Sequence, residues 1–226
     1  MTSKSPAPGG GRMTGVRVKT ARQRSLSSTL WLQRQLNDPY VAEAKRLGYR
    51  SRAAFKLVQL DEKYHLLAPG RRVVDLGSAP GGWCQIAAER VGPRGKIVGI
   101  DYLAMDALPG VQLLQLDFLD RTAPARLAAA LDGPADVVLS DMAAPATGHA
   151  PTDHLRILGL AETAYEFAAG VLAPGGSFVA KMFQGGTERT LLDRLKQDFA
   201  NIRHAKPPAS RQESAEVYVV ATGFRG

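Results

Sequence analysis

The chain has 226 residues, 45% of them hydrophobic, which suits one α/β domain with an extension and leaves too little length for a second large domain. Its formal net charge of +8 and sequence pI near 9.8 suggest a polyanionic partner. One cysteine, Cys84, excludes an internal disulfide and a cysteine-rich zinc site; no apolar run could span a bilayer, so a soluble protein of the reducing cytoplasm is expected.

The charge is concentrated at the start. Lys4, Arg12, Arg17, Lys19, Arg22, Arg24 and Arg34 precede the first acidic residue, Asp38, so seven of the formal +8 lie here and +1 is left for the rest. With Pro6, Pro8 and Gly9 to Gly11, residues 1–30 read as a disordered basic arm and 31–226 as the folded domain. The same acid-free, serine-containing composition also fits a mitochondrial transit peptide. From Trp31 the pattern turns helical, with Leu32, Leu36, Val41 and Ala44 at steps near four, and residues 50–60 form a second amphipathic helix with Arg50, Arg52 and Lys56 on its polar face.

Short apolar strands then alternate with helices. Strands are predicted at 73–76, 96–100, 111–115, 136–139, 177–181 and 217–221. Helices are predicted at 83–91, 124–131, 154–171 and 189–199, with Pro-Gly or Gly-Pro punctuation between elements. This alternation implies a mostly parallel, doubly wound sheet, in which ligands bind beyond the carboxyl ends of the strands.

The first strand runs into Asp75-Leu-Gly-Ser-Ala-Pro-Gly-Gly-Trp83. No Gly-Lys-Ser/Thr follows and the spacing is not G-x-G-x-x-G, so a triphosphate cradle or dinucleotide turn is disfavoured. Asp75 would repel a pyrophosphate but could accept from an ammonium or hydroxyl, both of which S-adenosylmethionine carries. Gly77, Gly81 and Gly82 allow close backbone approach. Asp101 closes the second strand, where a carboxylate can hold a ribose diol. Asp117 follows the third, placed for an adenine amine, with Phe118 as an apolar neighbour. Asp141 follows the fourth and Lys181 ends the fifth, flanked by Ala180, Met182 and Phe183. An apolar setting disfavours an ammonium, which makes Lys181 a candidate base. Singly, each has an ordinary explanation as a helix cap or solvated charge. Cys84 reads as a small buried helix residue.

Together these segments resemble the FtsJ/RrmJ-type (RlmE) ribosomal RNA 2′-O-methyltransferases, from Trp31 onward. The resemblance rests on Arg50-Ser-Arg-Ala-Ala-Phe-Lys-Leu57, Val74 to Trp83, Ser140-Asp-Met-Ala143, Leu172 to Lys181, Phe183-Gln-Gly185 and Ser210 to Gly223. It implies a Rossmann-like class I fold with a seven-stranded sheet and helices on both faces. It also implies a Lys-Asp-Lys-Glu tetrad at Lys56, Asp141, Lys181 and Glu216. Donor contacts would fall on Gly81, Trp83, Asp101, Asp117 and Asp141, within a pocket that also takes in Asp75, Gly77, Pro80, Gly82 and Phe118. The implied reaction is S-adenosylmethionine-dependent 2′-O-methylation of a uridine in the A-loop of 23S ribosomal RNA, within the 50S subunit, by a monomer. One departure follows Asp141: the family's Asp-Met-Ala-Pro-Asn is here Asp141-Met-Ala-Ala-Pro-Ala146, without the asparagine. RNA is expected over the sheet's carboxyl end, against Arg34, Arg50, Arg52, Lys56, Arg203, Lys206 and Arg211. Competing readings are a transfer-RNA anticodon-loop or messenger-cap 2′-O-methyltransferase, and a non-catalytic ribosome-assembly factor.

Overall fold

A computed structural model of the chain describes residue 20 and residues 25–185 and 188–226. Most of the predicted basic arm, including Lys4, Arg12, Arg17, Lys19, Arg22 and Arg24, lies outside the described residues. Three helices come first: α1 (Leu26–Leu36), α2 (Pro39–Leu47) and α3 (Ala54–Tyr64). The predicted helix from Trp31 is therefore two helices, and the first begins earlier. Ser25 caps α1 by accepting from the Ser28 amide, and Asp38 caps α2 by accepting from the Tyr40 amide with Pro39 in the first turn. Asn37 and Asp38 break the run because a helix starting at Pro39 cannot continue α1.

The remaining order is β1 (Arg72–Leu76), α4 (Gly82–Val91), β2 (Lys96–Asp101), β3 (Val111–Gln115), α5 (Ala123–Leu131), β4 (Ala135–Ser140), α6 (Ala150–Val171), β5 (Leu172–Phe183), α7 (Arg189–Asp198), β6 (Phe199–Ala205) and β7 (Glu216–Phe224). They form one seven-stranded sheet in the order β3-β2-β1-β4-β5-β7-β6. The pairs β1–β2, β1–β4, β2–β3 and β4–β5 are parallel; β7 is antiparallel to both β5 and β6. The mostly parallel, doubly wound α/β sheet is as expected, with β7 the one reversed strand. β6 is not among the strands predicted from sequence. It is an edge strand with only its two ends buried, so it lacks the apolar alternation of a covered strand.

Alternating residues of the buried strands feed two cores. Val74, Leu76, Val98, Ile100 and Val138 face one core shared with α5, α6 and α7; Val73, Ile97, Val137 and Val179 face another shared with α3 and α4. Burial on both faces explains why the strands read as continuous apolar runs. Each such side chain contributes roughly 1.5–3 kcal/mol on burial. A third, small cluster of Ala44, Phe55 and Ala209, with the Tyr40 and Tyr49 rings 5.2 and 5.4 Å from that of Phe55, docks α2 on α3 and on the loop between β6 and β7.

Candidate active site

The reversed strand brings distant residues onto one face. Lys181 of β5 stands opposite Tyr218 of β7, and Phe183 opposite Glu216. Side chains alternate along a strand, so Lys181, Glu216 and Tyr218 share the face on which α3 packs. Lys56 reaches that face from α3, and Asp141 enters from the turn after β4, whose Ser140 pairs with Ala180.

The result is one connected polar network. Lys181 Nζ donates to the Asp141 backbone carbonyl at 2.8 Å and lies 3.2 Å from Asp141 Oδ1. Lys56 Nζ donates to Glu216 Oε2 at 3.2 Å and to the Tyr218 hydroxyl at 2.9 Å, and lies 3.8 Å from Asp141 Oδ2. Tyr218 in turn donates to Asp141 Oδ1 at 2.7 Å. Lys56 and Lys181 are 7% and 6% exposed, so these charges are held by each other rather than by water. Burial pushes the Asp141 carboxyl up, but Lys181, Lys56 and the Tyr218 hydroxyl outweigh it and hold it below the usual carboxylate range. Burial, then the charges of Asp141 and Glu216, push the Tyr218 phenol well above its ordinary value and keep it a donor.

Tyr218 escaped the sequence reading. A tyrosine in an apolar strand reads as core, and its ring does pack, 5.7 Å from that of Trp83. The available signal was its place two residues after Glu216, on the same strand face.

Asp141 also opens onto a cleft of about 670 Å³ beyond the strand ends. Gly77, Ile100, Asp101, Asp117, Phe118, Met142 and Leu160 are among its walls. Asp101 accepts from the Ala79 and Leu103 amides, at 3.0 and 2.8 Å, and Asp117 from the Leu119 amide at 2.9 Å. A carboxylate has about four lone-pair sites, so both aspartates retain capacity for a ligand's hydroxyls or amine. Phe118 is fixed edge-on to Phe167 at 5.8 Å and supplies an apolar wall. Volume, apolar walls and the two carboxylates suit a ligand that carries a nucleoside.

Other residues expected at the pocket are not among its walls. Asp75 is 1% exposed, and its Oδ2 accepts from Cys84 Sγ at 3.1 Å. Burial raises its carboxyl to about 7 despite that hydrogen bond, with the charges of Asp141 and Asp101 adding to the rise. Cys84 is a buried helix residue, its thiol pushed up by burial and by Asp75. Trp83 is 3% exposed and donates its indole N–H to the Ala53 carbonyl at 2.8 Å. Gly81 and Gly82 are buried against Arg50 and Ser51, and Pro80 is exposed. None of Asp75, Pro80, Gly81, Gly82 and Trp83 lines the cleft.

The predicted RNA-facing cations differ in how they are engaged, with Lys56 buried in the network described above. Arg34 and Arg203 are exposed. Lys206 is exposed too but donates to the Gln212 and Ser214 carbonyls, closing its own loop. Arg52 and Arg211 converge on Asp38 Oδ2, at 2.9 and 3.6 Å, and Arg52 also donates to the Ala209 carbonyl. Arg50 is engaged with backbone carbonyls.

Residues 49–224 match the family model described as FtsJ-like methyltransferase. Curated relatives named ribosomal RNA large subunit methyltransferase E include one from Paramagnetospirillum magneticum, 70% identical over 100% of this chain and 94% of the relative, and one from Azorhizobium caulinodans, 64% identical over 99% and 95%. A solved structure of a ribosomal RNA methyltransferase from Plasmodium falciparum is 33% identical, with a TM-score of 0.71, covering 79% of this chain and 100% of that one.

Proposed function

We propose, from the premise that this chain belongs to the FtsJ-like methyltransferase family, that it transfers a methyl group from S-adenosylmethionine to a ribose 2′-hydroxyl of large-subunit ribosomal RNA. The substrate class follows the names of relatives 70% and 64% identical over 100% and 99% of the chain. The nucleotide proposed is a uridine in the A-loop of 23S ribosomal RNA, modified within the 50S subunit by a cytoplasmic monomer. The observation that carries the chemistry is the buried network in which Asp141 joins two lysines at the end of a nucleoside-sized cleft. Among the described residues no group of His, Cys, Asp or Glu suits a metal ion, and no helix is long and apolar enough to cross a membrane.

When bound, S-adenosylmethionine supplies a methyl group already activated on a sulfonium. Asp101 would hold its ribose, Asp117 its adenine amine, and Asp141 its methionine end. The protein must then align the RNA hydroxyl and take its proton. In this reading Lys181 must enter the step as the neutral amine, having given up a proton to solvent, and its Nζ then receives the hydroxyl proton, with the Asp141 carbonyl and carboxylate fixing its position. Lys56 and Glu216 hold the ribose, and Tyr218 ties Lys56 to Asp141. Exposed cations such as Arg34 and Arg203 would meet phosphates without reading sequence.

Methyl uptake from labelled S-adenosylmethionine should be compared among transfer RNA, free large-subunit ribosomal RNA and intact large subunits, followed by mapping of the modified nucleotide. Uptake into a uridine 2′-oxygen of the large subunit is expected. Uptake by transfer RNA alone, or none with any RNA, would defeat the proposal.

A further inference from the structure

Arg50 opens the segment that leads into α3, and its guanidinium reaches the loops after β1 and β2. Nη1 donates to the Asp106 carbonyl at 2.8 Å and to the Pro80 carbonyl at 3.4 Å, and Nη2 donates to the Ala107 carbonyl at 2.7 Å. Pro80 belongs to the glycine turn after β1; Asp106 and Ala107 belong to the loop after β2. Both loops wall the cleft, the turn through Gly77 and Ala79 and the other loop through Tyr102 and Leu103. They also meet directly where the Ala79 amide donates to Asp101.

The fit is specific at both ends. A Cβ at Gly81 would lie 2.9 Å from Arg50 Cδ and Nη1, and Gly81 has a φ of +106°, so only glycine leaves room for the guanidinium here. The Arg50 amide accepts no slack either, donating to Gln85 Oε1 at 3.1 Å, while Gln85 Nε2 donates to the Gly48 carbonyl at 3.0 Å. A planar fork with five N–H donors can serve three carbonyls on two loops; a lysine ammonium lacks that geometry.

We infer that Arg50 is a positioning residue for the methyl-donor cleft, pinning the glycine turn to the loop after β2, and not a phosphate contact for RNA. The inference rests on the proposed S-adenosylmethionine site. It corrects the expectation, drawn from the polar helix face, that Arg50 belongs with the RNA-facing cations. Five residues lie between Arg50 and Lys56, so the same short segment anchors the donor loops and carries a member of the catalytic network.

The test uses the full chain and the variants Arg50→Lys and Arg50→Ala, with S-adenosylhomocysteine binding followed calorimetrically and binding of transcribed large-subunit ribosomal RNA followed across salt concentrations. Both variants should weaken S-adenosylhomocysteine binding by about tenfold or more, the lysine nearly as much as the alanine. The KM for S-adenosylmethionine should rise while kcat at saturating donor is largely kept. The salt slope of RNA binding should stay at the wild-type value. In hydrogen exchange, amides of residues 102–108 should open faster in folded Arg50→Lys than in wild type. An unchanged donor affinity in folded Arg50→Lys, or a fall of about 0.7–1 in the RNA salt slope, would overturn the inference. Wild-type protein that binds no S-adenosylhomocysteine would instead defeat the proposed function on which it rests.

Discussion

Replacing Lys181 with Ala removes the nitrogen that Asp141 holds at 3.2 Å, and single-turnover methyl transfer is expected to fall by about 10³-fold, in the range of a lost proton acceptor. Donor binding should be nearly unchanged, since Lys181 is not a wall of the cleft. Tyr218→Phe keeps the ring against Trp83 but deletes the hydroxyl that joins Lys56 to Asp141. A hydrogen bond to a charged group of about 2 kcal/mol corresponds to a roughly 30-fold slower single-turnover rate, with the RNA salt slope intact. Asp75 carries a pH signature. Its folded value of about 7 lies above the ordinary 3.8, so its contribution to stability is fully present below pH 3.8 and is lost as pH rises to 7. Between pH 5 and 8 that loss is about 2.5 kcal/mol, and urea titrations of wild type and Asp75→Asn should diverge by a similar amount over that interval. An unchanging difference would count against a buried, raised carboxyl. At this scale the tetrad positions were legible, because each stands at a strand end or inside a family motif. Tyr218 was hidden by looking like core, and Arg50 by a helix face whose exposure could not be read from spacing.

Between elements, Asp38 has the widest reach. As the cap of α2 it accepts from the Tyr40 amide, and as a buried carboxylate it meets Arg52 before α3 and Arg211 in the loop that leads to Glu216. Gln59 of α3 reinforces the same joint by accepting from the Ala209 amide at 2.7 Å. Burial lowers the Arg52 guanidinium from its ordinary value and the Asp38 charge works against that fall. Asp38→Ala would leave two guanidinium groups without their shared partner, and a loss of about 3–5 kcal/mol in chemical denaturation is expected. Asp38→Glu, which keeps the charge, should recover part of it. Element existence followed well from hydrophobic period: β1 to β5 and α4 to α7 lie within a few residues of their predicted spans. The misses have local causes. Ser25 to Ser28 reads as tail yet caps α1, Asp38-Pro39 splits a continuous apolar pattern, and β5 starts at Leu172 because Pro174 and Gly175 are absorbed by a register shift against β4. β6 pairs only with β7 and carries polar residues along its length, so nothing in its own sequence announces a strand.

For the molecule as a whole, charge is divided from chemistry. Six of the basic residues fall in 1–24, ahead of every described helix, while the buried polar network proposed to act on the RNA sits at the carboxyl end of the sheet. Removing residues 1–24 should lower RNA affinity and flatten its salt dependence, while donor affinity stays constant; an unchanged slope would show that this stretch makes no phosphate contact. The arrangement of β7 has a further consequence, for folding. β5 and β6 are both made before β7 yet never pair with each other, because β7 is inserted between them. Four parallel pairings can form without it, but Glu216 and Tyr218 meet Lys56, Asp141 and Lys181 only once that last insertion is complete. Contacts of such long sequence separation form slowly. On refolding from denaturant, recovery of methyl transfer should therefore trail recovery of donor binding, since the donor cleft is walled by earlier strands and the acceptor side waits for the final one.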